Sequence, residues 1–289
     1  MKWQLGRRSD NIEDRRGMSV GRGAGGLGIG GIVIVSIIAL LMGKNPLELL
    51  GLLSQQDGAD TTQSQPATPG APPANDEATQ FVSTILGSTE DVWGKYFQAN
   101  GKTYPAPKLV LFSGQVASAC GTASAAVGPF YCPGDQQVYL DTSFFDEMKS
   151  RLGGGGDFAQ AYVIAHEVGH HIQNLTGVSG KVDALRAHGE NMEGDNGLSV
   201  RMELQADCYA GVWANLAQQQ YQWLEAGDVE EALSTATAIG DDRLQKEARG
   251  TVVPDSFTHG TSAQRVRWFR SGFDSGDVGH CDTFKAGKL

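Results

Sequence analysis

The segment YVIAHEVGHHIQNLTG, which begins at Tyr162, constrains the fold of this chain more than any other stretch. Histidines four residues apart on an α-helix project from the same face, so His166 and His170 can bind one metal ion. Glu167 borders that face and can take a proton from a water on the metal, as zinc-dependent hydrolysis requires. The pattern therefore predicts a helix with one side packed in the core and the other at a metal site.

The sequence around this motif also favours a packed helix. Asp157, with Gln160 three residues later, resembles a capping box at a helix start, and Gly177 is a suitable helix end. Glycine at position 169, inside the helix, costs about 1 kcal/mol relative to alanine, which predicts that another backbone or a substrate comes close there. The apolar stripe of this helix comprises Ala161, Ala165, Val168, Ile172 and Leu175.

A catalytic zinc ion needs a third protein ligand. Gln173 and Thr176 exclude the metzincin class, which has glycine and histidine at those two positions. Glu203 and Asp207 lie four residues apart in a predicted helix that opens near Ser199, and such carboxylates repel each other unless a cation is near. We predict that Glu203 binds zinc and that Asp207 accepts the ring N–H of a ligand histidine. The alternative is a pair of solvated acids.

The combination of HEVGHH with the downstream RMELQADCYAG resembles the gluzincin pattern of zinc peptidases. Together with WQLGRRSDNIEDRRG, PFYCPGDQQVYLD and FTHGTSAQRVRWFRSGF, it is similar to the bacterial neutral zinc metallopeptidase family, whose members are membrane-anchored. The resemblance implies that one zinc ion is bound by His166, His170 and Glu203. It also implies that Glu167 is the catalytic carboxylate and that Asp207 orients His166.

The predicted fold class is α+β, a zincin-like metallopeptidase domain with a small β-sheet and active-site helices. Apolar runs predict strands at Lys108–Phe112 and Gln137–Leu140, and the 108–141 region should pack on the active-site helix. An edge strand beside the cleft would let an extended peptide substrate add as a further strand.

The N-terminal region predicts a membrane anchor. Residues 24–42 carry no charge and, as a helix, would rise roughly 28 Å, about the thickness of the hydrocarbon core of a bilayer. Because basic residues precede this segment, we predict an N-terminus in the cytoplasm and a periplasmic catalytic domain; a cleaved signal peptide is the alternative. The predicted parts are a short basic cytoplasmic segment (1–23), a transmembrane helix (24–43), a tether rich in Pro, Ala, Thr and Gln (44–79) and the peptidase domain (80–289).

The four cysteines are predicted from this topology to form two disulfides. An oxidising compartment favours pairing, and we predict Cys120–Cys132 across a turn-rich loop and Cys208–Cys281 between the Glu203 helix and the C-terminal segment. The alternative is a cytosolic domain with four free thiols.

The remaining histidines and one tyrosine are possible donors to the developing oxyanion. His259 precedes a predicted helix at Thr261 or Ser262 and is the first candidate; a capping or core role is equally compatible with the sequence. Tyr209 is the second candidate. His188 and His280 have no motif around them, and His171 is turned about 100° from its neighbour and is interpreted as a bystander.

The charge of the chain restricts its partners. The formal net charge is −10, and the basic residues cluster at the N-terminus, so the predicted domain is strongly acidic. Nucleic acid is therefore excluded as a partner, because phosphate binding needs clustered Lys and Arg. The predicted partners are a peptide or protein substrate and the membrane. The favoured function is a membrane-anchored zinc peptidase, and the alternative is a non-catalytic, membrane-tethered scaffold stabilised by zinc. A zinc hydrolase of another amide, such as a cell-wall peptide bond, fits the same motif.

Overall fold

The computed structural model describes residues 1–18, 76–124, 128–151 and 155–289. The strands are β1 (Ile12–Asp14), β2 (Lys108–Phe112), β3 (Gln115–Ser118), β4 (Gly121–Ser124), β5 (Phe130–Cys132) and β6 (Gln137–Asp141). A four-stranded sheet in the order β1-β2-β6-β5 forms one layer; β1, β2 and β6 are parallel, and β5 is an antiparallel edge strand. The β3–β4 hairpin forms a separate two-stranded sheet.

Both faces of strand β2 are buried, and both carry apolar side chains. Leu109 and Leu111 face the main core with the helices, whereas Val110 and Phe112 join a smaller core with Val116 of the hairpin. This is the period of two that a strand imposes on its side chains. The strands predicted at 108–112 and 137–140 are both present, and the mixture of helices and sheet confirms the α+β class.

Eight α-helices within the described ranges supply the other layer. The helices are α1 (Glu77–Ala99), α2 (Ser143–Arg151), α3 (Asp157–Leu175), α4 (Val178–Ala187), α5 (Leu198–Tyr221), α6 (Asp228–Ala238), α7 (Asp241–Arg249) and α8 (Ser262–Ser275). The two that carry the predicted metal-site motifs, α3 and α5, pack against each other, and α8 packs against α5.

The start of α3 differs from the predicted capping box. Asp157 is the first helical residue, and the N-cap position is Gly156, which has no side chain to accept a hydrogen bond. The carboxylate of Glu231, on α6, accepts the backbone N–H of Phe158 instead. A Cβ atom at position 156 would collide with that carboxylate, so the glycine makes room for a cap that comes from a distant helix.

Glycine at position 169 allows α3 and α5 to approach closely. A Cβ atom there would lie 3.0 Å from the carbonyl oxygen of Ala206, tighter than an ordinary contact. The prediction that another backbone comes close at this position is confirmed. The approach brings the metal-site faces of the two helices together.

The prediction that residues 1–23 form a separate segment is wrong for residues 1–17, which belong to the same compact unit as the helices and sheet. Trp3 is buried in the main core, and β1 pairs with β2. The basic side chains that suggested a cytoplasmic flank form ion pairs here: Arg7 with Glu90 and Asp91, and Arg16 with Asp14 and Asp76. These ion pairs hold the N-terminal residues on the domain.

The boundaries further along the chain change as well. Residues 76–79 are not tether, because Asp76 caps α1 and the helix begins at Glu77. The predicted membrane helix at 24–43 and the tether up to residue 75 lie outside the described residues. Within the described ranges, no helix is both long and apolar enough to cross a bilayer.

The packing of residues 1–17 gives a second expectation for the orientation of the chain, beside the predicted cytoplasmic N-terminus. A single membrane crossing between residues 18 and 76 would place the N-terminus and the domain on opposite sides. Arg16 Nη1 instead lies 2.6 Å from Asp76 Oδ2, so the chain leaves and re-enters the domain at one place. The contact favours an N-terminus and a domain on the same side of a membrane.

This arrangement predicts that both parts of the chain lie on the same side of any membrane. Single cysteines introduced at the exposed positions Lys2 and Lys102 should react equally with a membrane-impermeant maleimide in intact cells. The native cysteines should not react, because all four are in disulfides. Labelling of one position in intact cells and of the other only after lysis would contradict the packing.

Two disulfides join the predicted pairs. Cys120–Cys132 links the β3–β4 hairpin to β5, and Cys208–Cys281 links α5 to the C-terminal segment. By the loop-entropy model each contributes roughly 3–4 kcal/mol to stability.

Candidate metal centre

Helices α3 and α5 bring three potential metal ligands to one point. His166 Nε2 lies 3.1 Å from Glu203 Oε2, and His170 Nε2 lies 3.5 Å from Glu203 Oε1. One ligand atom from each of the three residues lies within 4.8 Å of the others. The spacing of four residues on α3 places both imidazoles on one face, and the close approach at position 169 places Glu203 opposite them.

The His166 ring is oriented by a buried carboxylate. His166 Nδ1 lies 2.8 Å from Asp207 Oδ1. Asp207 is completely buried, and its carboxylate also accepts hydrogen bonds from the hydroxyl of Tyr162 and the guanidinium of Arg265. Arg265 Nε and Nη2 each donate to one carboxylate oxygen at 2.9 Å, a bidentate pair that fixes the carboxylate plane. His166 therefore carries its proton on Nδ1 and turns Nε2 toward Glu203.

The His170 ring is oriented by an amide. Its Nδ1 lies 2.9 Å from Oε1 of Gln173, on the same helix. Gln173 is fully buried, and its Nε2 donates to the carbonyl oxygen of Met202 at 2.7 Å. Both imidazoles thus turn Nε2 toward Glu203.

The ionisable groups of the site shift one another strongly. Burial opposes the charged form of His166, but the carboxylates of Asp207 and Glu203 outweigh it and raise the pKa of this imidazole to about 10. Burial likewise opposes the charge of Asp207, but Arg265 and His166 lower the pKa of this carboxyl to about 2. The pKa of Glu203 falls well below its usual value because the two histidines outweigh the effect of burial. A field that stabilises protons on these imidazoles also stabilises a cation between them.

The donor set fits zinc. Nitrogen and carboxylate ligands bound to one tetrahedral zinc ion at about 2.0–2.2 Å lie roughly 3.4 Å apart. The two separations of 3.1 and 3.5 Å are close to that value. Each imidazole has a partner on Nδ1 that leaves Nε2 for the metal, as in known zinc sites. Three protein ligands are typical of catalytic zinc, whereas structural zinc has four.

Glu167 lies beside the ligands with its carboxylate at the edge strand. It is buried, and the backbone N–H of Tyr131 in β5 hydrogen-bonds to its carboxylate. Burial raises the pKa of Glu167, and the neighbouring histidines only partly offset this effect. A carboxylate with a raised pKa beside an open metal position is suited to accept a proton.

A cleft of about 610 Å³ contains the three ligands and Glu167. His259 lines the same cleft, and its Nδ1 lies 3.3 Å from Asp241 Oδ1. Asp241 also accepts the backbone N–H groups of Thr258, His259 and Gly260, so the loop that carries His259 is wrapped around this carboxylate. The hydrogen bond with Asp241 raises the pKa of His259.

The other candidates lie elsewhere. Tyr209 does not line this cleft; it packs against Trp93 and borders a separate cavity beside Cys281. His171 is buried with both ring nitrogens used, Nδ1 by the Tyr131 hydroxyl at 2.9 Å and Nε2 by the Pro105 carbonyl at 2.7 Å. His171 is thus a structural residue that ties α3 to the sheet. His188 and His280 are exposed.

Four residues of the site were missed by the sequence analysis: Tyr162, Gln173, Asp241 and Arg265. One feature of the sequence could have drawn attention to Arg265. It starts a stripe of residues predicted to face the core (Val266, Trp268, Phe269), where an arginine is unusual. Nothing local in the sequence shows that it reaches Asp207, 58 residues away. At position 173 the sequence indicates only that the chain is not a metzincin.

Comparison with known proteins gave one family model and several similar proteins. A family model described as "Putative neutral zinc metallopeptidase" matches residues 1–284, which include the N-terminal segment packed on the domain. The chain is 52% identical over 290 residues to "Uncharacterized protein YpfJ" of Escherichia coli strain K12, covering 98% of this chain and 99% of that protein. It is 40% identical over 270 residues to "Uncharacterized protein Mb2605" of Mycobacterium bovis, covering 87% and 86%. No solved structure gave a significant match.

Proposed function

The chain belongs to the neutral zinc metallopeptidase family, and from this premise we propose that it is a zinc-dependent endopeptidase with a zincin-like catalytic site. The observation that carries the proposal is the position of Glu167, buried beside the ligands His166, His170 and Glu203 and facing the same cleft. A zinc ion held only for stability does not need a carboxylate base at its open position.

A bound zinc ion would supply Lewis-acid chemistry, polarising a peptide carbonyl and acidifying a water molecule. Glu167 then accepts the proton of the attacking water and delivers it to the leaving amine. His259, held by Asp241, donates a hydrogen bond from Nε2 to the oxygen on which negative charge develops. Asp207 and Gln173 hold the two ligand histidines in the tautomer that directs Nε2 into the site.

The edge strand supports a peptide as substrate. Strand β5 is paired on one side only, with β6, and its residues Phe130 and Tyr131 line the cleft. An extended peptide can add to such an edge through backbone hydrogen bonds, with alternate side chains entering the cleft. Phe130, Phe144, Met192 and Leu244 line the cleft and favour substrates with apolar side chains near the cleaved bond.

The second candidate, a zinc-stabilised scaffold, is less well supported. The ligands Glu203 and His170 keep 20% and 17% of their side chains exposed, toward the cleft. A structural site is normally closed by a fourth protein ligand. Within the described ranges, the group of side chains that could hold a metal ion here consists of three residues, His166, His170 and Glu203.

The compartment is part of the proposal. The two disulfides support an oxidising environment outside the cytoplasm, with residues 1–17 on the same side as the domain. Protein isolated from cells with alkylated thiols and no reductant should show both linked peptides by mass mapping. Recovery of four alkylated cysteines would reject this location.

An unbiased peptide library tests the proposed activity. The purified wild-type chain should cleave internal peptide bonds, lose the activity to a zinc chelator and regain it on addition of zinc. Cleavage that persists after complete metal removal would reject the zinc mechanism. Zinc binding with no cleavage of any library peptide or folded protein would favour the scaffold.

The pair formed by His259 and Asp241 predicts a pH effect. Thr258 Oγ1 and Asp241 Oδ1 lie 3.0 and 3.3 Å from Nδ1 and both accept its proton. Nε2 then donates only while the ring is cationic, and activity should decline as pH rises through the pKa of His259. Asp241 raises that pKa, so Asp241→Asn should move the alkaline limb of the kcat/KM profile to lower pH. Asp255→Asn, an exposed acid nearby on the chain, is the control and should leave the limb in place. An unmoved limb in Asp241→Asn would exclude this role of His259.

A further inference from the structure

The two ligand histidines are held by different chemistry. Asp207 is a carboxylate paired with Arg265, whereas Gln173 is a neutral amide. An amide has an oxygen that accepts and a nitrogen that donates, so it orients a histidine correctly only if something fixes which of the two faces the ring. For Gln173, the surrounding hydrogen bonds fix it.

Two oxygens set the direction of the Gln173 amide. Its Nε2 lies 2.7 Å from the carbonyl oxygen of Met202 and 3.1 Å from Oε1 of Gln205. Turning the amide over would place its oxygen against both, in a fully buried position where an unpaired polar contact is costly. Oε1 therefore faces His170 Nδ1, which must carry the proton.

Gln205 is directed in turn by the C-terminal segment. Its Nε2 donates to the carbonyl oxygen of Cys281 at 3.0 Å, which leaves Oε1 for Gln173. Cys281 is bonded to Cys208, on the same helix as Gln205 and Glu203. The hydrogen bonds thus run in one direction from His170 through the two glutamines to a carbonyl whose place is held by the disulfide.

We propose that Gln173 is a positioning residue for His170, and that the Cys208–Cys281 disulfide acts on the metal site through Gln205 and Gln173. The disulfide then has two roles, to stabilise the fold and to set the tautomer of one zinc ligand. Breaking it releases the Cys281 carbonyl, leaves Gln205 free to turn, and lowers the affinity of the site for zinc. This inference rests on the proposed zinc site but does not depend on the reaction catalysed there.

Zinc affinity of the folded full chain, measured by competition with a chelator, tests the first part. Gln173→Met keeps the size of the side chain and removes the acceptor, so affinity should fall by about 10- to 100-fold, as for other groups that orient metal ligands. Gln173→Glu can replace the amide as a neutral carboxylic acid, whose carbonyl oxygen faces Nδ1 and whose O–H donates to the Met202 carbonyl oxygen, so affinity should stay within a few-fold of the wild type. Gln218→Glu is the matched control on α5, because its side-chain oxygen can still accept the backbone N–H of Leu224 after the change.

A double-mutant cycle tests the link to the disulfide. Gln205→Met, or the pair Cys208→Ala and Cys281→Ala, should weaken zinc binding in the wild-type background. Neither should weaken it further when Gln173 is already methionine, because the route to His170 is then absent. Gln205→Met leaves the disulfide intact. It therefore tests the same link if the chain without the disulfide does not fold. The absorption spectrum of the Co²⁺-substituted protein should show the same coordination number in each variant.

The outcomes separate the two claims. A wild-type chain that binds no zinc overturns the proposed function and this inference with it. A wild-type chain that binds zinc, with unchanged affinity in Gln173→Met, overturns only the positioning role. Equal losses in Gln173→Met and Gln173→Glu assign Gln173 to packing, and additive losses in the cycle overturn the link to the disulfide.

Discussion

Glu167→Gln should lower kcat by about 100- to 10,000-fold while the fold and the zinc content stay those of the wild type. The amide has nearly the same shape, and its oxygen can still accept the backbone N–H of Tyr131, so the helix and the edge strand should remain in place. An amide cannot accept a proton from the attacking water. The loss should therefore fall on kcat, with KM little changed.

Glu190→Gln is the matched control for this change, because Glu190 is exposed and does not line the cleft. Activity and zinc content should both be measured on the same preparations, with circular dichroism to verify the fold. A Glu167→Gln variant that cleaves a validated substrate at the wild-type rate would remove Glu167 from the mechanism.

Arg265→Leu should lower the free energy of unfolding by about 3–5 kcal/mol, because it leaves the charge of Asp207 buried without its bidentate partner. Arg265 is 3% exposed and Asp207 is 0% exposed, so water cannot replace the lost contact. Urea titration of the metal-free chain measures the effect. Metal-free conditions are chosen because bound zinc would add its own stabilisation to the folded state.

Arg270→Leu on the same helix serves as the control, since Arg270 is exposed. It should change stability by no more than about 0.5 kcal/mol. If Arg265→Leu were equally mild, the Asp207 carboxylate would have to be protonated or hydrated in the folded chain, and its role in orienting His166 would need revision.

The candidate metal ligands were accessible to sequence analysis because their signal is local. His166, Glu167 and His170 lie within one turn and a half of helix, and Glu203 and Asp207 repeat the same spacing on the next long helix. The helical period alone then fixes which side chains share a face. The groups that hold the site were not accessible, because Arg265 and Asp241 reach it from separate elements that only the tertiary fold brings together.

The N-terminus shows how one pattern supports two interpretations. A cluster of arginines ahead of an apolar stretch is typical of a cytoplasmic flank. In the fold, Arg7 and Arg16 pair with acids of α1 and its cap, and β1 completes the sheet. Charge composition cannot distinguish a free basic flank from arginines whose acidic partners lie about 60 to 80 residues further along the chain.

His166, His170 and Glu203 should together hold one zinc ion for catalysis. The zinc content of the purified chain, measured by atomic emission for the wild type and for His170→Ala and Glu203→Ala, tests this assignment most directly. We expect about one zinc per wild-type chain, and little or none in either folded variant, since two ligands do not retain the ion. A full equivalent of zinc in either variant, or none in the wild type, would contradict the assignment.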